Sequence, residues 1–260
     1  MEFDKKSLHL ILQLARNDLK SRYANLHFGV AWAFAMPLIT ILVFWFVFEA
    51  GLRNAPIGDV PYILWFSAAY IPWTFFQDLL NSGANCLTEY SYLVKKIKFN
   101  VANIPLIKLI SALFVHAFFL VFLLVIYACY RVTFTIYFVQ ILYYSLAMAL
   151  LSLGLVYLFS AFAVFFKDVS ALVNVFLQLG FWVTPILWNE QTLQNEFVAK
   201  ILKINPMYYI VSGFRDSLIN RCWFWERGGE TLWFWIVTIL ALVVGITTFN
   251  RLRPLFADEV

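Results

Sequence analysis

Six stretches of this chain read as crossings of a lipid bilayer, and that constrains the fold before any other feature does. A membrane-spanning helix needs about 20 mainly apolar residues to traverse roughly 30 Å of hydrocarbon, where each backbone N–H and C=O must be satisfied internally. The runs lie near 30–50, 62–84, 104–129, 137–165, 169–188 and 232–250. Pro72 interrupts the second, and the fourth is long enough to require tilt. Composition agrees, since 63% of the residues are hydrophobic and 13% charged. A soluble fold of this size cannot hide so much apolar surface, and a disordered chain would need the opposite balance. The expected class is therefore an all-α polytopic membrane protein with six transmembrane helices.

Charge placement gives the orientation. Lys5, Lys6, Arg16, Lys20 and Arg22 precede the first run; Lys95, Lys96 and Lys98 sit in the second connection; Arg251 and Arg253 follow the last run. The first and third connections offer only Arg53 and Arg131. The positive-inside bias then puts both termini in the cytoplasm, in keeping with an even number of spans. The fifth connection (189–231) carries five Lys/Arg but is long and weighs less. The first run begins some thirty residues in, with no small-residue cleavage signal after it, so a removable signal peptide is not expected.

Ahead of the first run, Leu8, Ile11, Leu12, Ala15, Leu19, Tyr23 and Leu26 recur at helical spacing, with Gln13, Arg16, Asn17, Lys20 and Arg22 between them. Ser7 can cap such a helix, and Asp18 with Arg22 forms an i,i+4 pair. The pattern predicts a basic amphipathic helix in the membrane interface, either a plain anchor or a segment with further duties. Without an internal repeat or a linker, one domain is expected over 1–260. Its parts are an interface helix (1–29), a six-span bundle (30–250) and a cytoplasmic tail (251–260).

Chemistry is sparse. Cys86, Cys129 and Cys222 lie far apart without CxxC spacing, which argues against disulfides or zinc. No GxSxG, HExxH or Gly-rich phosphate loop occurs, and no basic stripe suits nucleic acid. Asp78 shares a helical face with Asn81, Ser82 and Asn85; such a stripe either lines an aqueous path or bonds a neighbouring helix. His116 stands alone in the third run and reads as a satisfied buried histidine. Lys108 is near enough to a helix end to snorkel, while Glu49 and Asp168 belong to span edges. Coupling carboxylates and repeated halves are both missing, so energy for uphill movement would come from another chain.

Five segments resemble the membrane subunit of type-2 ABC exporters that move polysaccharides, including O-antigen, capsule and teichoic-acid permeases. They are Asn17–Tyr23 with Phe28-Gly29, Trp32 and Pro37; Leu93–Phe99; Phe165–Val169; Trp182–Ile186; and Asn205–Tyr209 through Arg215. Phe28 stands where the family usually has Leu, and Asn100 where it has Pro. The resemblance implies a homodimer with a channel at its interface, driven by two separate ABC ATPase subunits that hold ATP and Mg. No cofactor is expected on this chain, and no catalytic residue. The implied setting is a bacterial inner membrane, with O-antigen the first candidate cargo and capsule or teichoic acid next.

Roles follow from that likeness. Glu89 to Lys98 would dock in the ATPase, with Glu89, Lys95, Lys96 and Lys98 at the contact, while Arg16, Lys20 and Arg22 would meet either the ATPase or anionic headgroups; the lysines would equally enforce topology. The fifth connection, with Phe197–Leu202 and Pro206, has the profile of re-entrant or interfacial helices, and by resemblance these gate the external side. Aromatic residues make up 20% of the chain, more than interfacial belts use. For a sugar cargo, Trp32, Trp45, Tyr70, Trp73, Trp182 and Trp188 are candidate stacking surfaces, joined by Asp78 and Asn81 as polar channel residues. The same aromatics would also suit lipid-facing surfaces. The competing readings are a type-2 ABC drug or small-lipid exporter, an integral membrane lipid or sugar transferase, and a structural scaffold.

Overall fold

The computed structural model describes residues 5–51, 60–96, 99–190 and 195–259. Among these residues the chain is helical, with no extended strand. Helix α1 (Lys5–Arg22) is followed by α2 (Ala31–Trp45), which continues as a wider π-turn through Phe46–Gly51. Then come α3 (Tyr62–Ala84), the short α4 (Cys86–Glu89) and α5 (Ser91–Val94), and α6 (Asn103–Cys129). The chain goes on through α7 (Gln140–Phe165), α8 (Asp168–Val183), α9 (Glu196–Ile204), α10 (Pro206–Arg215), α11 (Gly228–Leu252) and α12 (Phe256–Glu259).

Local chemistry sets several of these boundaries. Asn195 Oδ1 accepts the Phe197 N–H at 2.9 Å, and Asn205 Oδ1 accepts the Met207 N–H at 3.0 Å, so each asparagine caps the helix that follows it. Pro206 takes the first position of α10, where its missing N–H is not needed. Glu49 reaches across from the π-turn to accept the Ile63 N–H at 3.1 Å, capping α3. Pro72 does not interrupt α3, which runs unbroken for 23 residues, about 34 Å.

Four helical stretches are long and apolar enough to cross a membrane: Ala31–Glu49, Asn103–Cys129, Ile136–Phe165 and Phe224–Glu259. The second and fifth expected crossings form apolar helices that fall short of that measure. In α3 the polar Gln77 and Asp78 and the weakly hydropathic Tyr and Trp residues dilute the run. In α8 the helix stops after 16 residues, about 24 Å, and the chain turns at Thr184–Trp188, where Pro185 lies.

Helix α3 is the centre of the molecule. Every residue from Tyr62 to Trp73 is buried, against α6, α7, α8 and α10. A second core gathers at the far end of α3. There Ile11 and Ala15 of α1 meet Cys86 and Leu87 of α4, Leu93 and Val94 of α5, Ile104 and Ile107 of α6, and Phe249 and Phe256 near the C-terminus. Helices α7 and α11 cross closely: a Cβ on Gly154 would lie 2.7 Å from the backbone of Ala241 and Leu242, and one on Gly245 would strike the Gly154 carbonyl. Small residues let two backbones approach in this way inside a membrane.

Candidate functional site

The two ends of α3 carry different polar constellations. At its C-terminal end, Asp18 of α1 is 2% exposed and takes three donors on its carboxylate. Lys108 Nζ donates at 2.6 Å, the Tyr90 hydroxyl at 2.9 Å and Arg22 Nε at 3.0 Å. Lys108, itself 1% exposed, also pairs with Glu89, and Arg22 reaches on to Asp78 at 3.1 Å. Two cations and three carboxylates thus bind α1, α3, α4 and α6 to one another.

Burial alone would raise the Asp18 pKa, but Arg22 and Lys108 outweigh it and hold the carboxyl below its usual range. Burial likewise opposes the Arg22 charge, and Asp78 with Asp18 overrides it. The Tyr90 phenol is pushed far up by burial and by the Asp18 carboxylate.

This arrangement corrects the expectation for Lys108. It does not snorkel to water, because Asp18 and Glu89 meet its ammonium inside the protein. Arg22 turns inward too, whereas Arg16, Lys20, Lys95 and Lys96 are exposed and Glu89 is half-exposed. Lys98 lies outside the described residues. Asp78 is engaged by Arg22 and remains partly open, and Asn81 is half-buried with its Oδ1 unpartnered among the described residues. His116 is buried as expected, with Nε2 3.0 Å from the Ser145 hydroxyl, but it is only half satisfied, since Nδ1 has no hydrogen-bond partner among the described residues.

Between the ends of α3, a cleft of about 440 Å³ opens among α2, α3 and α8. Tyr70 and Trp182 supply aromatic walls, and Thr40, Gln77, Asn174 and Gln178 supply hydroxyl and amide groups. Gln77, Asn174 and Gln178 are all exposed. Ser170, Asn174 and Gln178 stand one helical turn apart on α8, and the Ser170 hydroxyl bonds Asn85 at the end of α3. An amide presents both donors and acceptors, so the stripe can exchange partners with a polyhydroxylated chain without preferring one register.

The other aromatic candidates do not share this cleft. Trp73 is buried behind α8, packed on Phe76 and Phe181, with its ring where a Gly180 side chain would stand. Trp45 lines an apolar groove with Leu42 and Phe122, and Trp32 lies beside Arg22 and Asp78. Trp188 donates its indole N–H to the Trp182 carbonyl at 3.0 Å. Gln77, Asn174 and Gln178 were not among the expected path residues, although Asn174 and Gln178 show i,i+4 polar spacing in an otherwise apolar helix. Among the described residues no cluster of His, Cys, Asp or Glu could hold a metal ion.

These features describe a helical protein with several segments of membrane-spanning length, and comparison with known proteins gives the class. The family described as "ABC-2 type transporter" matches residues 9–219, and this chain belongs to that family as the membrane permease of a type-2 ABC exporter. The chain is similar to the O-antigen export system permease protein RfbA of Klebsiella pneumoniae, 26% identical over 255 residues, covering 96% of this chain and 94% of that one. The protein of the same name from Myxococcus xanthus is 26% identical over 207 residues, covering 79% and 78%. A second Klebsiella pneumoniae permease of that name is 24% identical over 254 residues, covering 96% and 94%.

Proposed function

We propose that two copies of this chain form a channel through a bacterial inner membrane, along which a lipid-linked polysaccharide, O-antigen before capsule or teichoic acid, is exported. Each copy crosses the membrane six times with both termini in the cytoplasm, counting α3 and α8 as crossings. Two separate ATPase subunits carry ATP and Mg and drive the movement. The observation that supports this reading best is the cleft of Tyr70, Trp182, Gln77, Asn174 and Gln178. Exposed amides at mid-helix are costly against lipid, and a water-filled path shared with a second copy removes that cost. Aromatic faces beside rotatable amides suit sugar rings that must slide past.

The segment from Glu89 to Lys98 docks in the ATPase, presenting Lys95 and Lys96. Its motion passes through Glu89, Lys108 and Asp18 to α1 and α3. The helices α9 and α10 close the external side, and α1 lies in the cytoplasmic interface.

The test is complementation in a strain lacking this chain. Gln77→Leu combined with Asn174→Leu and Gln178→Leu should abolish surface polysaccharide while leaving protein level and membrane insertion unchanged. Full export by that triple variant would refute the path. Loss of ATPase co-purification on Lys95→Glu/Lys96→Glu, with insertion intact, is the corresponding result for the docking segment.

A further inference from the structure

At the opposite end of the molecule from Asp18, a separate polar cavity of about 240 Å³ is walled by α9, α10, the π-turn after α10 and the start of α11. Its wall holds three cations, Lys203, Arg215 and Arg227, and three carboxylates, Glu190, Asp216 and Glu230. Most of these are committed to one another. Arg227 Nη1 pairs with Asp216 at 2.7 Å and its Nη2 with Glu230, while Lys203 Nζ pairs with Glu230 at 2.9 Å. Asn220 Nδ2 occupies the other Asp216 oxygen at 2.8 Å.

Three groups are left over. Arg215 is 4% exposed, with its guanidinium 3.3 Å above the Trp65 ring, Nε donating to the Trp65 carbonyl and Nη2 to that of Ile186. Its third nitrogen, Nη1, has no hydrogen-bond partner among the described residues. Glu190 Oε2 forms a long ion pair with that nitrogen at 3.9 Å, too far for a hydrogen bond, and has no hydrogen-bond partner of its own among the described residues. The Ser212 hydroxyl, on a residue 6% exposed, is the third. Leaving a buried guanidinium nitrogen and a hydroxyl unbonded costs free energy that a ligand recovers.

We infer that this cavity binds a single uncharged sugar residue, whose hydroxyls accept from Arg215 Nη1 and donate to Glu190 Oε2. A ligand filling that gap must both accept and donate over a short distance, which vicinal hydroxyls do. A phosphate or carboxylate would satisfy Arg215 but meet Glu190 with like charge. The balance of three cations and three carboxylates also gives no net attraction for an anion. Ser212 completes the set as either donor or acceptor, and Tyr208 lines the wall with its hydroxyl donating to Glu190 Oε1 at 3.4 Å. The cavity is large enough for one sugar unit and not for a folded oligosaccharide. The inference deepens the proposed export function, on which it rests for its carbohydrate partner, by adding a holding site where the glycan leaves the external gate.

The experiment is saturation-transfer NMR on the full-length chain in lipid nanodiscs, with methyl glycosides of glucose, galactose, mannose, rhamnose and N-acetylglucosamine and, separately, inorganic phosphate. At least one glycoside should bind saturably, and Ser212→Ala and Glu190→Gln should each weaken it about tenfold, the usual scale for losing a hydrogen bond in such a set. Thermal midpoints establish that each variant is folded, and Ser212→Ala, the smaller change, carries the comparison if Glu190→Gln does not fold. Absence of saturable glycoside binding, binding equal in wild type and variants, or displacement of the glycoside by phosphate would each overturn the proposal. Ser212-dependent glycoside binding by a chain that associates with no ATPase would sink the export reading and spare this site. Export without glycoside binding would do the reverse.

Discussion

Lys108 Nζ lies 2.6 Å from Asp18 Oδ1, ninety residues away in the chain, and neither side chain is more than 2% exposed. A buried pair of this kind is strong evidence of position rather than of stability, because desolvation consumes most of what the attraction returns. Removing one partner is another matter. Lys108→Met leaves Asp18 buried with only Arg22 and Tyr90, and should destabilise the protein by about 3–5 kcal/mol. Adding Asp18→Asn should recover most of that loss. Thermal unfolding of the two single variants and the double variant checks this; equal midpoints for Lys108→Met and wild type would show that the pair is not what joins α1 to α6.

The same pair makes an acid-side prediction. The folded pKa of Asp18 is depressed, so its contribution to stability is complete above the unfolded carboxylate value, about 3.9, and is lost as pH falls through the lower folded value. The unfolding midpoint should therefore show no step from Asp18 between neutral pH and about pH 5. Wild type should lose stability on further acidification, and Asp18→Asn should lack that component. A step near neutral pH that vanishes in Asp18→Asn would mean a raised pKa, contrary to this account.

Packing is tested at the α7–α11 crossing. In Gly154→Ala the new Cβ lies 2.7 Å from the backbone of Ala241 and Leu242, which cannot rotate away as a side chain could. The helices must separate, at a cost of about 1–3 kcal/mol. Gly228→Ala, with nothing within 4 Å of its Cβ, should be close to neutral. Thermal midpoints of the two variants should differ accordingly.

Water access should distinguish the faces of α8. In a chain whose native cysteines are replaced, Asn174→Cys and Gln178→Cys should react with a water-soluble maleimide in intact membranes. Val175→Cys and Leu179→Cys, on the exposed apolar face, should react far more slowly. Equal labelling of both pairs would remove the aqueous path from the account.

How much of this could be read from the sequence depends on the range of the interaction. Apolar runs are local, so the helices lie where the runs are; α3 falls short only in apolarity, through Gln77 and Asp78, and α8 only in length, stopping at Val183. Pro72 looked like an interruption, yet α3 continues through it, as membrane helices allow when neighbours satisfy the freed carbonyl. Asp18 and Arg22 fall on the same stripe as the buried Ile11 and Ala15, and that was the available signal that their charges turn inward. What the sequence could not give was the partner, because Lys108 and Glu89 come from distant elements. The cleft was half legible. Tyr70 and Trp182 stood out as aromatics, whereas Gln77, Asn174 and Gln178 became a stripe only when α8 was laid beside α3. Trp73, an aromatic on the same helix as Tyr70, packs behind α8 instead, since residue type alone does not give the facing direction.

The deciding experiment is co-purification of this chain with an ABC ATPase co-expressed with it, followed by hydrolysis assays with and without lipid-linked glycan. The expected result is a stable complex of two permeases and two ATPases whose hydrolysis responds to glycan, and whose assembly is lost in Lys95→Glu/Lys96→Glu. A well-folded permease that associates with no ATPase, or a complex indifferent to glycan, would contradict it.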